Sequence, residues 1–83
     1  MSMTDDLMTI ARSYGASLGL ELSTVSWRAL GDTKKLAAID AGSDIQVGRC
    51  EKTLQWFSDN WPANTDWPEG IERPSRSKAE AAS

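Results

Sequence analysis

From Val47 to Trp61 the apolar residues fall at intervals of 3, 4, 3 and 4: Val47, Cys50, Leu54, Phe57 and Trp61. An α-helix, with its period of about 3.6 residues, lines such positions along one face. The chain must therefore contain a helix whose apolar seam is buried against other elements. Gly48 falls in the first turn of this helix, where its poor propensity matters least, and Pro62 stops it. The chain has 83 residues, room for one small domain, so the partners of the seam have to come from the residues before it.

Three further helices are legible upstream. The first runs from about Asp5 to Ala16, with Leu7, Ala11, Tyr14 and Leu18 as its stripe. Thr4 suits its N-cap, Asp5 and Asp6 sit at the end that favours negative charge, and Gly15 and Gly19 weaken and then end it. A second helix spans about Thr24 to Leu30, with Ser23 as cap and Leu22 as a possible staple against the following turn. Gly31 supplies a left-handed stop. Asp32 caps a third helix at once; it runs from Thr33 to Ala41 with Leu36 and Ile39 inward and ends at Gly42.

After Pro62 the pattern changes. Residues 62–74 carry all three prolines of the chain and Trp67, with no helical period. They read as an extended strap that folds back through Trp67 and Ile71. Residues 75–83, SRSKAEAAS, read as a disordered tail. The expectation is an all-α fold: a small bundle of four to five short helices containing a helix-turn-helix over residues 1–61, closed by the Pro/Trp-rich strap.

Composition narrows the function. Cys50 is the only cysteine and there is no histidine, so neither an internal disulfide nor a metal site is expected, and Cys50 reads as a core residue. No histidine base serves the serines, Asp5 and Asp6 diverge by about 100° on a helix, and GASLGL lacks the lysine and spacing of a nucleotide loop. An enzyme and a cofactor are not expected. No apolar run reaches the roughly 18 residues of a membrane span, and no basic-then-apolar leader opens the chain, so the default expectation is a cytoplasmic protein without a membrane partner. The formal charge is -3. Its distribution is uneven: residues 23–54 carry Arg28, Lys34, Lys35, Arg49 and Lys52 against Asp32, Asp40, Asp44 and Glu51, and they alone lean positive.

Two short helices joined at Gly31-Asp32 have the form of a helix-turn-helix, whose second helix presents its N-terminal side chains to the major groove. Those side chains are Thr33, Lys34 and Lys35. Lysine donates to guanine O6 and N7, and threonine meets a base edge or a thymine methyl. The alanines that follow suit a close approach to DNA, but equally suit helix packing. On spacing alone, a groove-reading helix and a plain solvated helix both stay open.

Residues 23–57, STVSWRALGDTKKLAAIDAGSDIQVGRCEKTLQWF, resemble the core of lambda-repressor-like helix-turn-helix domains. In that family a polar-capped helix ends on a Leu-Gly pair, here Leu30-Gly31. A short recognition helix with a buried aliphatic, here Leu36, closes on a glycine, here Gly42. The next helix packs through positions matching Leu54 and Phe57. Residues 56–62, WFSDNWP, are similar to a segment near the end of short bacterial and prophage proteins. The resemblance implies a sequence-specific duplex-DNA-binding transcriptional regulator of phage or prophage type, with its recognition helix at about 33–41. It places base contacts on Thr33, Lys34, Lys35 and Ala38. It places phosphate contacts on Ser23 and Thr24 and on Ser43, Gln46 and Arg49, where helix N–H groups, hydroxyls and a guanidinium can hold phosphate without reading sequence. A single short helix offers little contact area, so a homodimer on paired half-sites is expected.

Two features pull the other way. Alanine stands at several positions where this family carries polar readers. Carboxylates also lie near the proposed face: Asp32 has a capping role, whereas the sequence offers none for Asp40 or Asp44. Trp27, beside Arg28, either packs under the tail or marks a partner surface; Trp61 and Trp67 are further candidates for a partner or dimer contact. The alternative function is therefore a protein–protein interaction module that keeps the helical fold without DNA affinity. A structural subunit of a larger assembly is a third.

Overall fold

A computed structural model describes residues 3–74, so the tail expected over 75–83 lies outside the described residues. Among the described residues there are four helices and no strand. Helix α1 spans Met3–Leu18, longer at both ends than the sequence suggests, and Thr4 lies inside its first turn rather than before it. Leu7, Ile10, Ala11 and Tyr14 form its buried stripe. Leu18, expected to continue that stripe, is 44% exposed. The reason is the turn at Gly19 (φ 67°), where the Leu20 N–H reaches back to the Gly15 carbonyl at 2.8 Å. A helix end of this form returns the residue after the glycine to the core, so Leu20 is the one that packs there.

Gly15 carries its propensity cost without interrupting α1. It is buried, and a Cβ at this position would stand 3.0 Å from the Leu20 carbonyl oxygen and 3.1 Å from Val25 Cγ2. The missing side chain lets α1 and the next helix approach closely. Gly15→Ala would gain about 1 kcal/mol of helix propensity. It would also wedge a methyl against backbone that cannot yield, and overpacking costs about 1–3 kcal/mol. We expect a net loss of about 1 kcal/mol, read as a lower urea midpoint at unchanged slope.

Helix α2 spans Leu22–Leu30 with Glu21 at its N-cap, so Ser23 sits in the first turn and is not the cap. Leu22 packs against the core, and its burial within the helix outweighs the cap that Ser23 could have made. Gly31 ends α2 in the left-handed region (φ 72°), with its N–H on the Trp27 carbonyl. Helix α3 spans Lys35–Asp40, shorter than the expected 33–41. The Asp32 carboxylate accepts the Lys34 N–H at 2.8 Å, and this local turn keeps Thr33 and Lys34 outside the helix. At the other end Gly42 (φ 114°) donates to the Ile39 carbonyl and Ser43 to that of Ala38, closing the last turn.

Helix α4 spans Val47–Asp59. Cys50 and Phe57 of the expected seam are buried and Leu54 packs beside them, but Val47 is 63% exposed. The helix is rolled so that Thr53 and Ser58 are buried with the seam. Thr53 is accommodated by donating to the Arg49 carbonyl at 2.8 Å. Helix α1 is the common support, packing against each of the other three, while α2 also contacts α3 and α4.

The strap folds back as expected, with Trp67 and Ile71 packed on the core beside Trp61, which lies past the end of α4 rather than on its seam. Each indole N–H is satisfied four residues on: Trp61 Nε1 donates to the Thr65 carbonyl at 2.7 Å and Trp67 Nε1 to that of Ile71 at 2.8 Å. The ring of Tyr14 on α1 meets Trp56, Phe57 and Trp61, and Trp61 meets Trp67 at 4.8 Å between centroids. Arg73 closes the strap. Its guanidinium lies 5.5 Å from the centre of a Trp67 ring, donates to the Ser58 carbonyl at 2.8 Å, and meets the Ser58 hydroxyl, which in turn donates to the Pro74 carbonyl. No helix of the described residues is long and apolar enough to cross a membrane.

Candidate nucleic-acid interface

Helices α2 and α3 are fastened by one buried hydroxyl. Ser26, fully buried on α2, donates to the Asp32 carbonyl in the turn and accepts the Leu36 N–H from the first turn of α3 at 3.0 Å. The Leu36 N–H is one that the first turn of a helix leaves unpaired. With Val25 and Leu36 packed in the same core, Ser26 sets how α3 projects from α2.

Thr33 and Lys34 are exposed in the turn, and Lys35 is partly covered at the start of α3. Neither lysine amine pairs with a carboxylate among the described residues. Further along, Ala37 and Ala41 are exposed while Ala38 is half-buried, so the small outward surface of this helix is carried by Ala37 and Ala41 more than by Ala38. Arg49, exposed in the first turn of α4, donates from Nη2 to the Leu30 carbonyl at 3.3 Å. That contact draws its guanidinium to the end of α2, beside the turn that carries Thr33 and Lys34. Sequence spacing alone does not bring Arg49 to that turn.

The other phosphate candidates are spread out. Ser23 and Thr24 lie in the first turn of α2, at the far end of a helix roughly 13 Å long. No side chain caps that helix end. Ser43 and Gln46 lie in the link between α3 and α4; Gln46 is the N-cap of α4 and makes no side-chain cap bond. Both are exposed.

Two of the three acids near this face are engaged. The Asp32 carboxylate is held by the Lys34 N–H. Asp40 pairs with Arg12 of α1, Oδ2 to Nη2 at 2.8 Å. Asp44 stands exposed in the link. Sequence reasoning passed over Ser26 and Arg12. For Ser26 a signal existed: a polar residue on the inward face of α2, between Val25 and Leu30, needs a partner. For Arg12 none did, since Asp40 is 28 residues away.

Trp27 is 59% exposed beside exposed Arg28, and the tail that is its alternative packing partner lies outside the described residues. Trp61 and Trp67 are partly buried with their indole N–H groups bonded inside the strap. Of the three tryptophans considered as partner contacts, Trp27 is the one left open. Burial pushes the Cys50 thiol above its usual range, with the charges of Glu51 and Asp6 adding to the effect. The thiol remains protonated near neutral pH, in keeping with a core role. Among the described residues no cluster of acids and cysteine could hold a metal ion.

The fold and this surface define a small all-helical domain of four helices among the described residues, closed by a tryptophan-bearing strap. No family model, curated protein or solved structure matches the chain.

Proposed function

We propose that the chain binds duplex DNA sequence-specifically, with α3 in the major groove, and acts in the cytoplasm as a transcriptional regulator of phage or prophage type. The observation that carries this reading is the cationic turn. Thr33, unpaired Lys34 and Arg49 are gathered at one end of a hydroxyl-fastened helix pair, followed by the bare surface of Ala37 and Ala41. Lys34 would donate to guanine O6 and N7, and Thr33 would meet the neighbouring base edge. The alanines would let the helix backbone approach the groove floor. Ser23, Thr24 and the uncapped N–H groups of α2 would hold one phosphate strand, and Arg49 the other. Ser43 and Gln46 extend that grip along the α3–α4 link. Because α3 is short, two copies on adjacent half-sites supply the specificity, so the selected sequence should have two-fold symmetry.

The test is selection from a randomised duplex pool, followed by fluorescence anisotropy of a selected duplex across a salt series. Lys34→Ala/Lys35→Ala should lose about tenfold or more in affinity, and its salt slope should fall by about 1–2. Equal binding by the two proteins at every salt concentration would overturn the proposal.

A second reading rests on Trp27. An exposed tryptophan beside an arginine has the composition of a protein-interface hot spot. The acidic net charge, -3, is compatible with a protein partner. A protein–protein module of this kind would show no duplex selection at all and would lose its partner on Trp27→Ala.

A further inference from the structure

We propose that Arg12 is a positioning residue for the DNA-binding face: by holding Asp40 against α1, it keeps a carboxylate from acting on the phosphates beside α3. The inference rests on the DNA-binding reading above. Asp40 ends α3 and is three residues after Ala37, so the two are neighbours on the helix surface, and Ala37 belongs to the outward side. A free carboxylate there would repel the phosphate strands flanking a groove-bound helix. Arg12 reaches it from a different element. Arg12 lines a pocket with Ala16, Leu20 and Leu22, and its Nη2 lies 2.8 Å from Asp40 Oδ2.

Both side chains are about half exposed, at 57% and 48%. An exposed pair of this kind adds little to folding. Its larger consequence is for the charge pattern: the pair turns one edge of α3 from negative to neutral. The resulting asymmetry separates charge masking from a merely structural role. Arg12→Gln and Asp40→Asn break the same ion pair, yet the first uncovers a negative charge and the second removes it.

The experiment is a double-mutant cycle read by anisotropy on a duplex from the selected pool at low salt, with circular dichroism confirming the fold of each variant. Wild type is titrated first. Arg12→Gln should weaken binding by about two- to fivefold, and the loss should shrink as salt is raised. Asp40→Asn should bind as well as wild type or better. In the Asp40→Asn background, Arg12→Gln should have no further effect, and Arg12→Lys should retain most of the wild-type affinity. An equal loss from Arg12→Gln in both backgrounds is a net-charge effect and overturns the proposal. Equal losses from the two single variants indicate a structural pair and also overturn it. If wild type binds no duplex, the DNA-binding reading fails and this inference with it; any of the other outcomes removes the inference alone.

Discussion

Ser26→Ala should lower stability by about 2–3 kcal/mol, a drop of roughly 10–20 °C in the thermal midpoint for a domain of this size. The two bonds of this hydroxyl are not equal. The Asp32 carbonyl lies in an exposed turn and can turn to water, so its loss is small. The Leu36 N–H is buried in the first turn of α3 with no other acceptor, and leaving it unpaired carries the larger cost. The small void left by the missing oxygen adds little. Thermal unfolding followed by far-ultraviolet circular dichroism checks the value. Ser23→Ala, on the exposed side of the same helix, should stay within about 0.5 kcal/mol of wild type. Ser26→Ala should also weaken duplex binding well below its own midpoint, because the substitution frees the angle at which α3 leaves α2. A midpoint within a degree or two of wild type would mean that the hydroxyl does not fasten the pair.

That fastening marks the boundary of what the sequence reveals. Elements set by local chemistry were legible in it. The periodicity from Cys50 to Phe57 located α4, and Gly31 and Gly42 stand where a left-handed residue is required. Trp67 and Ile71 return the strap to the core. Details that depend on competition between local and distant terms were not legible. Ser23 is a good cap in isolation, but burial of Leu22 moves the start of α2 ahead of it. Asp32 has the same sequence signature whether it caps a helix or closes a turn, since in both cases its carboxylate accepts an N–H two or three residues on. The expected start of α3 was early for that reason.

The candidate site divides in the same way. Period alone turns Leu36 and Ile39 inward, whereas Thr33 and Lys34 are exposed because the Asp32 turn holds them ahead of the helix. The finer roll of α3, which exposes Ala37 and half-buries Ala38, is not set by period alone. The reach of Arg49 to Leu30 and of Arg12 to Asp40 spans separate helices, and no local pattern encodes either. Net charge is a poor guide for the same reason. A total of -3 conceals that Lys34 in the turn and Lys35 at the start of α3 meet no carboxylate among the described residues while Asp32 and Asp40 are bonded elsewhere.

Trp67→Ala should cost about 2–3 kcal/mol and leave duplex affinity unchanged at temperatures where the variant is folded. A fully buried tryptophan loses about 3–5 kcal/mol on truncation, and Trp67 is partly buried, which lowers the figure. Three contacts go together: the face against Trp61, the cation of Arg73 over the ring, and the indole bond to the Ile71 carbonyl. The Arg73 clamp on Ser58 and the Trp67 ring support each other, so the segment from Thr65 to Pro74 should loosen as a unit. Faster backbone hydrogen exchange and easier proteolysis confined to that segment would register it. Its ring meets Trp61 and its hydrogen bonds engage Ser58 on α4, whereas the proposed DNA contacts lie on α2, α3 and the first turn of α4. Ser26→Ala is expected to impair folding and binding together, and Trp67→Ala folding alone. If Trp67→Ala abolished duplex binding or self-association in a protein that is still folded, the strap would be part of the interface and not the closure of the core.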